Sequence, residues 1–292
     1  MHVDSLKVFC DLVETASFSK AATAHGITQS AVSQQVRALE ARFGCTLLER
    51  SRSGVSVTPE GNAFLATCRE ILAAWSAFEA RLSALKNEVS GELRIASIFS
   101  IGLHELPPRL AAFRARHPHV AVQVDYRRSV QVYEMVGNGE AHIGLVAFPT
   151  KRPGITFEIF DEDTLLVICH PSHPLAAKKR ITLAALAGEQ FIGFEPDTPT
   201  RKMTDRYLRK AGVKITPVNE FDNIETVKRA VEIGSGISIV PARTVPAEIK
   251  SGQLASLEVE SPRMTRPLAT IIARNRTRPP GMKEFIAMLR GS

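Results

Sequence analysis

Thr28-Gln29-Ser30-Ala31-Val32-Ser33-Gln34-Gln35-Val36-Arg37-Ala38-Leu39-Glu40 reads as the opening of a helix with two chemically different faces. The Thr28 hydroxyl suits an N-cap, where it accepts a first-turn amide. Val32, Val36, Leu39 and Phe43 step by four, three and four residues, which makes a buried apolar seam. Gln29, Ser30, Ser33, Gln34 and Arg37 fall on the other faces, and Gly44 tolerates the left-handed backbone that ends the helix. Upstream, Leu6, Phe9, Leu12 and Val13 recur at helical spacing, which predicts a helix over residues 4–15. Ser17 or Ser19 caps a second, short helix through Ala21, Ala22 and Ala24, closed by Gly26. Helix, short helix, tight turn and polar-faced helix is the layout of a helix-turn-helix, whose second helix enters the major groove of DNA. Ser and Gln can bond base edges or phosphates, and Arg37 can reach a phosphate or a guanine.

Downstream, Leu47 to Pro59 reads as two short strands around a polar tip, a wing that places Arg50 and Arg52 against the DNA backbone or the minor groove. Periodicity alone leaves a small structural helical domain open as an alternative. Residues 60–89 contain no proline and have their only glycine, Gly61, at the start. Phe64, Cys68, Ile71, Trp75, Phe78, Leu82, Leu85 and Val89 alternate steps of four and three, the heptad seam of a coiled coil, with an amphipathic helix docked on its own domain as the alternative. A dimer joined by this helix addresses two half-sites of an approximately palindromic operator.

After Gly91 the pattern becomes alternating strands and helices. Strands are predicted at 92–97, 120–126, 142–148, 155–161, 164–170, 191–194, 216–221, 237–240 and 268–274. Helices are predicted at 102–116, 129–138, 182–187, 200–211, 223–234, 243–250 and 280–290. Such alternation implies α/β lobes with largely parallel sheets. The expected organisation is 1–60 for the winged helix-turn-helix, 61–89 for the linker helix and 90–292 for the α/β domain. Within that domain, lobe one covers 91–161 and 267–292, and lobe two covers 162–266.

Composition sets the outer bounds. The 292 residues are 44% hydrophobic and 23% charged, values of an ordinary globular chain. The net charge of +7 is misleading as a sign of DNA binding. Residues 1–89 hold nine basic and nine acidic side chains, so the excess lies wholly in the remainder. No stretch approaches the roughly 18 apolar residues of a membrane span, and no secretory leader is visible, so a cytoplasmic protein without membrane contact is expected. Cys10, Cys45, Cys68 and Cys169 lie far apart with no CxxC pair and read as reduced thiols. The histidines lack metal-ligand spacing. No dinucleotide loop, nucleophile elbow or Cys/His nucleophile pattern occurs, so neither metal, cofactor nor enzymatic activity is expected.

Residues 1–61 resemble the DNA-binding domain of the LysR-type transcriptional regulators. The resemblance is carried by Leu6-x-x-Phe9, Ser17-Phe18-Ser19-x-Ala21-Ala22, Ile27 to Ser33, Leu39-Glu40, Leu47-Leu48-x-Arg50 and Thr58-x-x-Gly61. It implies DNA contacts at Gln29, Ser30, Ser33, Gln34, Arg37, Arg50 and Arg52. The remainder resembles the two-lobed, periplasmic-binding-protein-like effector domain of the same family, through Gly91-Glu92-Leu93-Arg94-Ile95, Leu106-Pro107, Gly139-x-x-x-Ile143-Gly144 and Gly234-x-Gly236-Ile237-x-Ile239-Val240-Pro241. The resemblance implies a homodimer through the linker helix, assembled into a homotetramer that bends promoter DNA. Ligands of open α/β sheets sit beyond the strand C-terminal ends, against helix N-termini. That rule selects the turns bearing Ser97, Ser100, Ser129, Phe148, Thr198, Thr200, Arg201 and Asn223 as an effector site. With Arg128 also adjacent, a small anionic effector is expected. The runs Phe221 to Glu232 and Glu195 to Arg201 resemble the branch of the family linked to sulfur and inorganic-carbon assimilation. The alternative is a solute-binding or catalytic α/β domain with a helical dimerisation module that does not read DNA.

Overall fold

The computed structural model describes residues 2–51, 54–84, 89–276 and 278–291, and it divides into two compact units, 1–88 and 89–292. The first unit contains α1 (Val3–Thr15), α2 (Phe18–Ala24), α3 (Gln29–Phe43), β1 (Leu48–Ser51), β2 (Gly54–Val57) and α4 (Pro59–Ala84). Ser17 caps α2 by accepting the Lys20 amide, and Thr28 caps α3 by accepting the Ala31 amide at 3.1 Å. The apolar seam of α3 (Val32, Val36 and Leu39) packs with Leu6, Phe9 and Leu12 of α1 in one core. Two polar side chains join the helices to the wing. The Glu40 carboxylate accepts the Leu47 amide at 2.9 Å, and the Thr58 hydroxyl donates to the Thr46 carbonyl while accepting the Gly61 amide. Gly61 is required here, because a Cβ would lie 2.0 Å from the Leu47 carbonyl oxygen.

The apolar seam expected along α4 is divided. Cys68 is fully buried, and Phe64 partly so, against the core of their own unit. Ile71, Trp75 and Phe78 stand exposed, with the Trp75 and Phe78 rings 5.8 Å apart. Leu85 lies outside the described residues, as does the side chain of Leu82, and Val89 packs against a core of the second unit.

The second unit begins with β3 (Gly91–Ser97), α5 (Phe99–His104), α6 (Leu106–Arg116), β4 (Val120–Tyr126), α7 (Ser129–Asn138), β5 (Ile143–Ala147) and β6 (Ile155–Cys169). It continues through β7 (Arg180–Ile181), β8 (Phe191–Phe194), α8 (Pro199–Lys210), β9 (Pro217–Phe221), α9 (Ile224–Glu232), β10 (Ser238–Pro241) and α10 (Pro246–Ser251). β11 (Ala255–Val259), β12 (Thr265–Ala273) and α11 (Pro280–Arg290) complete it. The strand path is β4-β3-β5-β12-β6-β11-β7, with β10 also paired to β6 and with β8 paired to β9.

Three expectations change. The sheets are mixed rather than largely parallel: β12 runs antiparallel to β5 and β6, and β10 and β11 run antiparallel to β6. The two strands expected at 155–161 and 164–170 are one strand, β6, whose partner changes from β12 to β10 and β11 between Thr164 and Leu165. The helix expected at 102–116 is two, because Pro107 sits in the first turn of α6, where its missing amide costs nothing, and so marks a helix start.

Candidate DNA interface and effector cleft

Gln29, Ser30, Gln34 and Arg37 are exposed on α3 and Ser33 is partly buried, so the five side chains lie on the helix surface away from its core seam. The Ser30 and Thr28 hydroxyls share a 2.9 Å hydrogen bond, and Gln29 accepts from Ser19 of α2 at 3.4 Å. These bonds orient the first turn of α3, the end that reads base edges in a helix-turn-helix. Arg50 falls in β1, and Arg52 lies outside the described residues.

In the second unit, a cavity of about 380 Å³ opens where strand C-terminal ends of the two lobes face each other. That volume suits a small molecule. Its lining comes from the turns after β3, β4, β5, β8, β9 and β10. Apolar walls are supplied by Ile98, Phe99, Phe194 and Ile224, and hydroxyls by Ser100, Ser129, Thr198 and Thr200. Thr198 caps α8 by accepting the Arg201 amide, while Ser129 and Thr200 lie in the first turns of α7 and α8. The other four sequence-selected residues do not line the cavity. Ser97 is fully buried and donates to the Ile98 carbonyl. Phe148 adopts φ 50° and packs against a lobe core. Asn223 caps α9 by accepting the Glu225 amide. The Arg201 guanidinium is held by Asp205, Glu220 and the Phe194 carbonyl, with Glu220 at 2.6 Å.

Arg266, which the sequence reading did not select, stands directly behind the cavity. It is 2% exposed and donates to the Ser100 hydroxyl oxygen at 2.5 Å. Asp163 faces it across the β6–β12 ladder, with the closest ion-pair contact 3.8 Å long. Neither Arg266 Nε nor Asp163 Oδ2 has a hydrogen-bond partner. Burial pulls the Arg266 pKa down to about 10 against the opposing pull of Asp163, and burial likewise raises the Asp163 carboxyl. At neutral pH Arg266 therefore remains charged. The pair belongs to a larger cluster in which Arg243 donates to Glu105 at 3.0 Å and to Asp161, and Arg109 donates to Glu105 and Asp161. In sequence the signal was available: an arginine in a strand before Pro267, and Asp161-Glu162-Asp163 inside another, are charges that a sheet must pair.

Two further bridges span the lobes, that of Arg128 at the cavity lining. Arg128, before α7, pairs with Glu195 and with Asp197 at 3.0 Å, and His104 of α5 meets Glu225 of α9 at 2.8 Å.

Two family models match the chain: "Bacterial regulatory helix-turn-helix protein, lysR family" over residues 3–62 and "LysR substrate binding domain" over residues 86–292. Among curated proteins, a RuBisCO operon transcriptional regulator of Allochromatium vinosum is 32% identical over 262 residues, covering 89% of this chain and 86% of its own. The HTH-type transcriptional regulator CysL of Bacillus subtilis is 29% identical over 292 residues, covering 100% and 98%. Among solved structures, a full-length OxyR variant of Pseudomonas aeruginosa superposes with a TM-score of 0.76 at 20% identity, covering 99% of this chain and 95% of its own. Full-length CbnR complexed with its target DNA gives 0.71 at 24%, covering 100% and 99%. At those identities the superpositions establish the fold.

Proposed function

We propose, for a chain that belongs to the LysR family of bacterial transcriptional regulators, that a small singly charged anion bound between its effector lobes controls how paired helix-turn-helix units hold promoter DNA. The carrying observation is the Ser100 hydroxyl, which lines the cavity and already accepts a hydrogen bond from the buried Arg266 guanidinium. With its oxygen engaged, the hydroxyl has its own proton free to donate, and the positive charge behind it favours a negative acceptor. Charge at the mouth points the same way. Arg128 is already satisfied by Glu195 and Asp197, and Glu134 and Asp222 add negative charge to the lining, which disfavours a polyanion. A compact monoanion with an apolar body fits both ends of the cavity.

Ser100, Ser129, Thr198 and Thr200 bind the effector in this reading, and Gln29, Ser30, Ser33, Gln34, Arg37, Arg50 and Arg52 contact DNA. The exposed stripe Ile71, Trp75 and Phe78 supports dimerisation through α4, and a homotetramer would place two such pairs on one promoter. An effector that binds one lobe arrangement better than another shifts the equilibrium between them, which couples the cleft to DNA. The test is a gel-shift titration against the protein's own upstream intergenic DNA at two salt concentrations, with an unrelated duplex as control. Specific retardation that survives the higher salt supports the regulator reading, and equal, salt-sensitive binding to both duplexes counts against it. A screen of small monocarboxylates in the same assay identifies the effector class. Ser100→Ala is expected to retain basal binding and lose the response; an unaltered response removes Ser100 from the site.

A further inference from the structure

α8 carries more positive charge than its own lobe answers. Of the seven charged side chains in residues 199–214, six are basic and one, Asp205, is acidic. Asp205 is taken up by Arg201, together with Glu220. Lys202, Arg206, Arg209 and Lys210 are exposed, and exposed Lys214 follows them past the end of the helix. Among the described residues none of these five meets a carboxylate, whereas Arg94, Arg127, Arg180, Arg229 and Arg290 of the same unit each pair with one. Lys202, Arg206 and Arg209 step by four and three, so they form one stripe, opposite the buried Thr204 and Leu208. At the helical rise of about 1.5 Å per residue, the stripe runs about 10 Å.

Helix stability does not account for it. Cations favour the last turn of a helix, where Arg209 and Lys210 lie, but Lys202 lies near the start of α8, where the backbone dipole repels a cation. The centre of a protein–protein interface is apolar and poor in charge, and no large apolar side chain of α8 is exposed. A row of unpaired cations instead complements a row of phosphates, which duplex DNA presents at one charge per about 1.7 Å of its axis.

We propose that this stripe binds the sugar–phosphate backbone of duplex DNA, so that the second unit adds a sequence-independent hold to the sequence reading of the first. Residues 1–89 hold nine basic and nine acidic side chains and supply no net attraction of their own; the excess lies in the remainder. The stripe also rides on the helix whose cap Thr198 and first-turn Thr200 line the cleft. On the reading of that cleft given above, an effector that shifts α8 shifts these phosphate contacts with it.

The experiment measures the affinity of the full chain for its upstream intergenic DNA and for an unrelated duplex over a series of salt concentrations. Wild type is compared with two charge-matched variants. One combines Lys202→Gln, Arg206→Gln and Arg209→Gln; the other combines Lys151→Gln, Lys250→Gln and Lys283→Gln at exposed positions elsewhere. Glutamine is as good a helix former as lysine or arginine. The stripe variant is expected to bind both duplexes about tenfold more weakly. Its slope of log affinity against log salt is expected to be smaller by about 2.7, since each lost phosphate contact removes about 0.9. The second variant is expected to keep the wild-type slope. Equal losses in both variants would reduce the stripe to bulk charge, and a wild-type slope in the stripe variant would leave it to an acidic protein or to solvent; either overturns the proposal. Wild type that binds both duplexes alike, with the stripe effect intact, supports the proposal and counts instead against sequence-specific reading. A wild-type measurement guards against a variant that folds poorly. Acetylation of Lys202 and Lys210 is expected to fall several-fold when the unrelated duplex is added, while Lys151, Lys250 and Lys283 stay reactive. Undiminished acetylation of Lys202 and Lys210 would remove DNA from the stripe.

Discussion

Among the described residues Arg266 is the bulkiest side chain removed from water, and its energetics follow from the Asp163 carboxylate that faces it. Removing one partner of a buried pair strands the other, at a cost of about 3–5 kcal/mol, whereas replacing both with apolar groups of similar size is often neutral. Arg266→Met is therefore expected to destabilise the chain strongly, and adding Asp163→Leu to restore much of the loss, as read by urea denaturation. His142 offers a second residue-scale expectation. Its Nδ1 accepts the Arg94 amide at 3.1 Å, and burial, aided by the Arg94 charge, lowers its pKa to about 3. The unfolded chain thus binds a proton near pH 6.5 that the folded chain refuses. Stability from this site is complete above pH 6.5 and falls as pH drops towards 3, by about 2 kcal/mol at pH 5. His142→Asn is expected to flatten that part of the denaturation profile. The sequence reading selected neither residue, because a strand pattern alone shows which positions alternate and not which charged ones turn inward.

At the scale of elements, legibility depended on how local the determining forces were. The caps at Ser17 and Thr28 and the seam of α3 involve neighbours within a turn or two, and the structure keeps them. α4 was read as one uniform stripe, yet its first half is claimed by a core made of residues distant in sequence. What remains, Ile71, Trp75 and Phe78, is the exposed stripe that the proposed dimer would cover. Trp75→Glu is expected to shift sedimentation velocity towards monomer while leaving the circular dichroism unchanged; an unaltered mass would remove α4 from the interface. The continuity of β6 escaped the sequence because the acidic run at Asp161–Asp163 resembles a turn. In the fold Asp163 and Asp161 are strand residues whose charges are answered by Arg266, Arg243 and Arg109. The strand-end turns led to hydroxyls that line the cavity, whereas Arg201 lies outside its lining and pairs with carboxylates of α8 and β9.

At the scale of the whole molecule, net charge is separated from DNA reading, since the neutral first unit carries the helix-turn-helix and the second carries the excess. Under the proposed reading, affinity for DNA rests on a few placed cations such as Arg37 rather than on bulk attraction. The order of strands has another consequence, which concerns synthesis. β12 lies between β5 and β6, although it is made after both. Until the ribosome has released residue 273, β5 and β6 each hold an unpaired edge towards the same gap, while residues 1–88 have every segment of their own core. Open strand edges recruit other strands. A chain ending at residue 264 is expected to aggregate on expression, and one ending at residue 88 to remain soluble and helical. In a growing chain, the helix-turn-helix unit is finished long before the effector-binding unit.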